Sequence, residues 1–197
     1  MTTTTPKKTT KSKTVKATPI SEDLPSNPFA FEVFNLISKQ RSNAKKVELL
    51  RRYDHPSIKA LFIWNFDESL ISALPEGDVP YAATSEQNSF NGTLSSKIDD
   101  AVNKMAELNS NSLGSQDQGY STIRKEHVRF YNFIKGGNDG LSSLRRETMF
   151  INILQGLHPL EAEILCLVKD KRLETKYKIS KQNVSDAYPD IVWGNRV

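Results

Sequence analysis

From Phe29 to Tyr188 the apolar residues of this chain recur three and four positions apart, the period of an α-helix. Ala30, Val33, Phe34 and Ile37 open the series, and Phe31 widens the stripe. Asn27 is suited to cap that helix, and Pro28 fits its first turn. A second helix is expected after Ser42 or Asn43, burying Val47 and Leu50. A third opens at His55-Pro56 and carries Ile58, Leu61, Phe62 and Trp64 to near Asp67. Asp67 is placed to cap a short helix over 68–74, stopped by Pro75-Glu76-Gly77-Asp78. Ile123, His127, Phe130, Tyr131 and Ile134 form one helical face, closed by Gly136-Gly137. Residues 141–154 read as a helix whose second half, 149–154, is apolar nearly all round, which predicts a central place in the core. Pro159 starts a helix with Leu160, Ile164, Leu167 and Val168 inward, and a last one runs from Ser180 to Tyr188. The expected fold is all-α, a compact bundle of about six to eight short helices.

Two segments stand apart from the expected domain, 29–197. Residues 1–28 are rich in Thr and Lys, with too few apolar groups to offset the entropy of ordering, so a disordered basic tail is expected. The net charge of the chain is +4. Five lysines against two acids give the tail +3, leaving +1 for the other 169 residues. No apolar run resembles a secretory signal, and the first twenty residues lack the arginine and amphipathic pattern of a transit peptide. The longest apolar runs, such as 60–64 and 164–168, fall far short of the roughly 20 residues that span a bilayer. Residues 85–119 read as an insertion: an amphipathic helix over 94–108 on polar linkers, with Leu94, Ile98, Ala101, Met105 and Leu108 on one face.

Little in the chain spells catalysis. Cys166 is the one cysteine and sits in an apolar run, where a thiol behaves as a small hydrophobe. His55 and His158 each precede a proline at a helix start, where capping is the ordinary role, and His127 lies on an apolar face. Their spacing does not suit zinc. The acid pairs Asp67-Glu68, Asp99-Asp100 and Glu161/Glu163 read as solvated faces. Lys135-Gly136-Gly137-Asn138-Asp139-Gly140 looks superficially like a phosphate loop, yet a helix precedes it and Leu141 follows it. Helix ends account for its glycines. The phrases His55-Pro56-Ser57 and His158-Pro159-Leu160 echo one another, as capping chemistry alone would produce.

Basic residues remain. Lys7, Lys8, Lys11, Lys13 and Lys16 in the tail could neutralise phosphates without reading sequence. Lys169, Lys171, Arg172, Lys176, Lys178 and Lys181, beside Tyr177, form the strongest basic cluster outside it.

Several longer phrases are informative as a set: Phe31-Glu32-Val33-Phe34-Asn35, Leu74-Pro75-Glu76-Gly77-Asp78-Val79-Pro80-Tyr81, Arg145-Arg146-Glu147-Thr148-Met149-Phe150-Ile151, Gly156-Leu157-His158-Pro159-Leu160-Glu161-Ala162 and Ala187-Tyr188-Pro189-Asp190. In this order they resemble a family of small uncharacterised proteins of T4-like marine myoviruses. The resemblance covers about 29–84 and 120–197 and brings no site residues. It implies a phage protein present in the host bacterial cytoplasm or the virion; the short apolar runs separately lead to the expectation of a chain neither secreted nor in a membrane.

Two functional expectations follow. One is a non-catalytic accessory protein, without cofactor, that contacts another phage or host protein, with the 94–108 face as a candidate docking element. The other is non-specific nucleic-acid binding by the tail and the 169–181 cluster. Oligomeric state is left open.

Overall fold

The computed structural model of the protein describes residues 24–77, 79, 99, 102–103 and 121–194. Among these the fold is all-α. The helices are α1 (Ala30–Ser38), α2 (Asn43–Arg52), α3 (Pro56–Phe66), α4 (Ile123–Glu126), a 3-10 segment (His127–Phe133), α5 (Ser143–Gly156), α6 (Pro159–Lys169), α7 (Leu173–Tyr177) and α8 (Lys181–Ala187). The expected tail lies outside the described residues as far as residue 23, as does most of the insertion 85–119.

Helices α3 and α6 form the centre. α3 packs on α6, α4, the 3-10 segment and α8, while α6 also touches α1, α5 and α7. α2 lies along α8. The interior is aromatic: Phe34 sits 5.2 Å from Phe62 and 5.4 Å from Tyr177, and Trp64 is stacked on Phe133 and tilted against Phe130. α3 is apolar around most of its circumference, burying Ile58, Leu61, Phe62, Trp64 and Phe66.

Helices this short are marginal alone, so their ends must be satisfied by the rest of the fold. At α3 the His55 Nδ1 accepts the Ser57 N–H at 3.1 Å, and at α6 the His158 Nδ1 accepts the Leu160 N–H at 3.1 Å. Both histidines therefore cap, as their position before proline predicts. His127 is likewise structural, donating its Nδ1–H to the Arg124 carbonyl at 2.8 Å. At α7 the cap is remote: Asn65 of α3 accepts the Leu173 N–H at 3.1 Å.

Four expectations are corrected. α1 starts at Ala30, not after Asn27, because Glu32 reaches back to accept the Phe29 N–H at 2.9 Å. No helix forms over 68–74. The buried Asp67 carboxylate instead gathers the Ser69 N–H and hydroxyl at 3.0 and 2.7 Å and the Gly194 N–H at 3.1 Å, folding a turn. That turn leads to one isolated antiparallel bridge, Ser72 with Ile134. The face expected for 123–134 assumed 3.6 residues per turn. The 3-10 segment has three, so Phe130 and Phe133 face the core while Tyr131 is turned out, 54% exposed. Finally, α5 lies at the periphery. It buries Arg146, Phe150, Ile153 and Leu154 but exposes Thr148 and Asn152, and the central place falls to α3 and α6.

Candidate functional site

The 3-10 geometry sorts its residues into three rows. His127, Phe130 and Phe133 point inward, Val128 and Tyr131 point outward, and Glu126 and Arg129 face α5. On α5, Leu144, Thr148, Asn152 and Gly156 form one row at a spacing of four, and Arg145, Met149 and Ile153 form the next. Between these two walls runs an open groove of about 470 Å³. Its floor is apolar, from Met149 and Ile153, and Arg129 and Arg145 stand at its rim. Ser121 closes one end, its N–H on the Gly156 carbonyl at 2.8 Å and its hydroxyl on the Glu126 carboxylate. Glu126 is also paired with Arg129 at 3.3 Å. Leu144 on the α5 wall is 75% exposed, and Val128, 64% exposed, and Tyr131 lie on the outward row of the 3-10 segment. An exposed leucine beside an apolar floor is the kind of surface that marks interaction sites. Glu126 and Arg129 neutralise each other at one wall, so the arrangement is suited to binding an apolar face.

The loop joining the two walls explains the phosphate-loop lookalike. Gly136 has a φ of +82°, and a Cβ on Gly137 would lie 2.0 Å from the Tyr131 carbonyl oxygen. Arg146, largely buried, donates to the carbonyls of Asn132 at 2.8 Å, Asn138 at 2.8 Å and Leu141 at 3.1 Å. The glycines allow the tight reversal and Arg146 satisfies its carbonyls.

A second polar centre lies in the interior. Glu161 was expected on a solvated face, and it is fully buried instead. Its two oxygens accept the first N–H of α1, from Ala30 at 3.0 Å, and the first N–H of α4, from Ile123 at 2.8 Å. Burial pushes its carboxyl up to about 7; the two N–H groups and the Arg124 charge oppose that, and Glu32 adds to it. Arg124 itself donates to the Pro28 carbonyl at 3.1 Å. His158 stacks on Phe31 at 4.8 Å beside this centre. Both Glu161 oxygens are held by backbone, so its role is to join helix ends. The signal was present in the spacing: Glu161, Ile164, Leu165 and Val168 share one buried stripe.

The residues of the 169–181 cluster are dispersed around α7. Lys169 is buried, its ammonium on the carbonyls of Pro75 at 2.7 Å and Gly77 at 3.0 Å and on Asp170. Lys171 donates to the Asp67 carbonyl at 2.8 Å, and Lys176 pairs with Glu163. Lys181 lies 5.2 Å over the Trp193 ring. Arg172 and Lys178 are exposed, while Tyr177 is buried against Phe34 and offers no stacking face. Cys166 is half-buried against the core. The tail lysines 7, 8, 11, 13 and 16 lie outside the described residues, as do Leu94, Ile98, Ala101, Met105 and Leu108. The described neighbours Asp99, Val102 and Asn103 are helical and exposed. Among the described residues no His, Cys, Asp and Glu side chains gather to hold a metal, and no helix is long and apolar enough to cross a membrane.

Fold and groove together define a small all-α protein whose distinctive surface is an apolar cleft between short helices. The chain belongs to DUF6433, a family of unknown function, whose model matches residues 33–108 and 99–175. No curated protein and no solved structure matches it.

Proposed function

We propose that this protein is a non-catalytic bacteriophage accessory protein that acts through protein–protein contacts, with the groove between the 3-10 segment and α5 as its docking face. The observation that carries the reading is the exposed apolar wall of that groove, with Leu144 three-quarters exposed above Met149 and Ile153. The phage setting, in the host bacterial cytoplasm or the virion, rests on the sequence resemblance to proteins of T4-like marine myoviruses. A virion component and a replication or transcription factor both fit. The test is affinity capture from infected cells with the wild-type chain and with Leu144→Arg, alongside mass spectrometry of purified particles. Leu144 is exposed, so the substitution leaves the core intact. The expected result is a defined set of proteins retained by the wild type and lost with Leu144→Arg. Identical sets for the two chains would sink the reading.

A second reading, non-specific nucleic-acid binding, is favoured by the exposed Arg172 and Lys178 and by the five tail lysines. It predicts DNA retention that falls with salt at a log–log slope of about −6, near −0.9 for each phosphate neutralised by the five lysines and the two exposed α7 cations. Replacing Lys7, Lys8, Lys11, Lys13 and Lys16 by glutamine should flatten that slope to that of the α7 cluster alone. Retention that is weak and insensitive to salt in both chains would exclude this reading.

A further inference from the structure

We propose that the folded domain carries a nucleic-acid-binding face of its own where the first turns of α2 and α8 lie side by side, with Lys39, Arg41 and Lys178 contacting phosphates. The inference deepens the nucleic-acid reading by placing a contact surface within the fold, and it is independent of the docking groove.

The fold assembles this face from two distant stretches. α2 packs along α8. Near the start of α2, Lys46 donates to the Lys178 carbonyl just ahead of α8, at 2.5 Å and across 132 residues of sequence. At the far end, Arg51 donates to the carbonyls of Asp186 and Ala187, which close α8, at 2.5 and 3.3 Å. The two helices therefore run parallel, and their first turns share one end of the molecule. Lys39 and Arg41 lie on the connection from α1, directly before α2.

Charge is concentrated at that end. Residues 39–46 contain Lys39, Arg41, Lys45 and Lys46, and residues 175–182 contain Lys176, Lys178 and Lys181. Neither stretch contains an acid, so the contact between them unites seven cations. Glu48 pairs with Lys45 at 3.3 Å, Glu163 pairs with Lys176, and the exposed Glu174 lies one turn before Lys178. These three acids offset three of the seven and leave four. Lys39, Arg41 and Lys178 are exposed. Each stretch alone is an ordinary solvated helix end; the Lys46–Lys178 bond makes them one surface.

The surroundings favour a phosphate chain over a protein or a lipid surface. No large apolar side chain is exposed in either stretch, and Tyr177 is buried. Protein interfaces bury aromatic or apolar anchors at their centre, and peripheral membrane faces insert them. A face of cations without an anchor suits a nucleic-acid backbone, where charge neutralisation supplies the binding. It offers no stacking surface for bases, so it holds the backbone without reading sequence.

The test uses the full-length chain with Lys7, Lys8, Lys11, Lys13 and Lys16 replaced by glutamine, and follows retention of a short DNA duplex against salt. At about −0.9 per phosphate, Arg172 and Lys178 alone leave a log–log slope of about −2, whereas the assembled face, with Lys39 and Arg41 added, gives about −3.6. Adding Lys39→Gln and Arg41→Gln should return the slope to about −2, and Lys39→Arg with Arg41→Lys should keep it at about −3.6. Both side chains are exposed, and an unchanged melting temperature confirms that the fold persists. A slope of only about −2 before these substitutions, or one that they do not change, overturns the proposal. If the chain with its tail lysines intact still binds steeply in that case, the nucleic-acid reading stands on the tail alone. Displacement by polyglutamate as readily as by DNA would assign the face to an acidic protein. Binding to phosphatidylglycerol vesicles without binding to the duplex would assign it to a lipid surface. Either result also overturns the proposal.

Discussion

Glu161→Ala is expected to destabilise the fold by roughly 4 kcal/mol at pH 5, because it leaves two buried N–H groups without an acceptor at about 1–3 kcal/mol each. Those groups begin α1 and α4, which are separated by more than 90 residues of sequence and meet at this one carboxylate. The pH dependence is more diagnostic than the magnitude. Burial raises the carboxyl from its ordinary value of 4.5 to about 7. Below about 4.5 the group is protonated in folded and unfolded chains alike, and its favourable effect is fully present. Between about 4.5 and 7 the folded chain holds a proton that the unfolded chain has released, so stability falls as pH rises, by about 3 kcal/mol in all. Glu161→Gln removes the titration but sets an NH₂ group against one helix N–H. It should therefore be about 1–3 kcal/mol less stable than the wild type at pH 5, with the difference closing as pH passes 7. Urea unfolding of both chains across pH 4 to 8 measures this. A difference that widens over that range would mean the two helix ends hold the carboxylate ionised, contrary to its raised value.

Glu161 also shows what the sequence conveyed and what it withheld. Helix existence was legible for seven of the eight α-helical elements named among the described residues, because apolar spacing and the prolines at 56 and 159 are local signals. The short helix α7 was not expected, since Leu173–Tyr177 is one turn and a half and its cap comes from Asn65 on another helix. The 3-10 segment was not legible either. A three-residue and a 3.6-residue period differ little over seven residues, and tertiary contacts decide between them. The most consistent omission concerns charge. Lys46, Arg146, Glu161 and Lys169 each sit on the apolar stripe of their own helix, although Glu161 reads as part of a solvated face and Lys169 as part of an exposed basic cluster. All four are buried, and all four bind backbone groups of a distant element: Lys46 reaches the carbonyl of Lys178 and Lys169 those of Pro75 and Gly77. A charge in phase with a buried stripe must find such partners, because an unpaired one would be far too costly inside. That phase was visible in the sequence, but the identity of the partner required the fold. The groove could not be read at all, since its two walls come from segments whose facing rows depend on the 3-10 turn.

Arg146 makes the same principle testable at the groove. Arg146→Met keeps the apolar stem and removes the guanidinium, which leaves the carbonyls of Asn132, Asn138 and Leu141 without their shared donor. Charge-assisted bonds of this kind contribute about 1.5–3 kcal/mol apiece when fully enclosed. The Asn138 and Leu141 carbonyls are only partly buried and regain water, so the expected cost is near 3 kcal/mol rather than the full sum. Arg146→Lys should recover less than half of it, because an ammonium lacks the planar fork that reaches the carbonyls on both sides of the loop. The loss is also local. The loop 134–142 ties the 3-10 wall to α5, while the packing of α1, α2, α7 and α8 lies elsewhere. Amide exchange should accordingly speed up across 127–146 well before it does in α1 or α2, and binding at the groove should weaken in parallel. Exchange that accelerates evenly over the whole chain would show that Arg146 supports the global fold, not the alignment of the two walls.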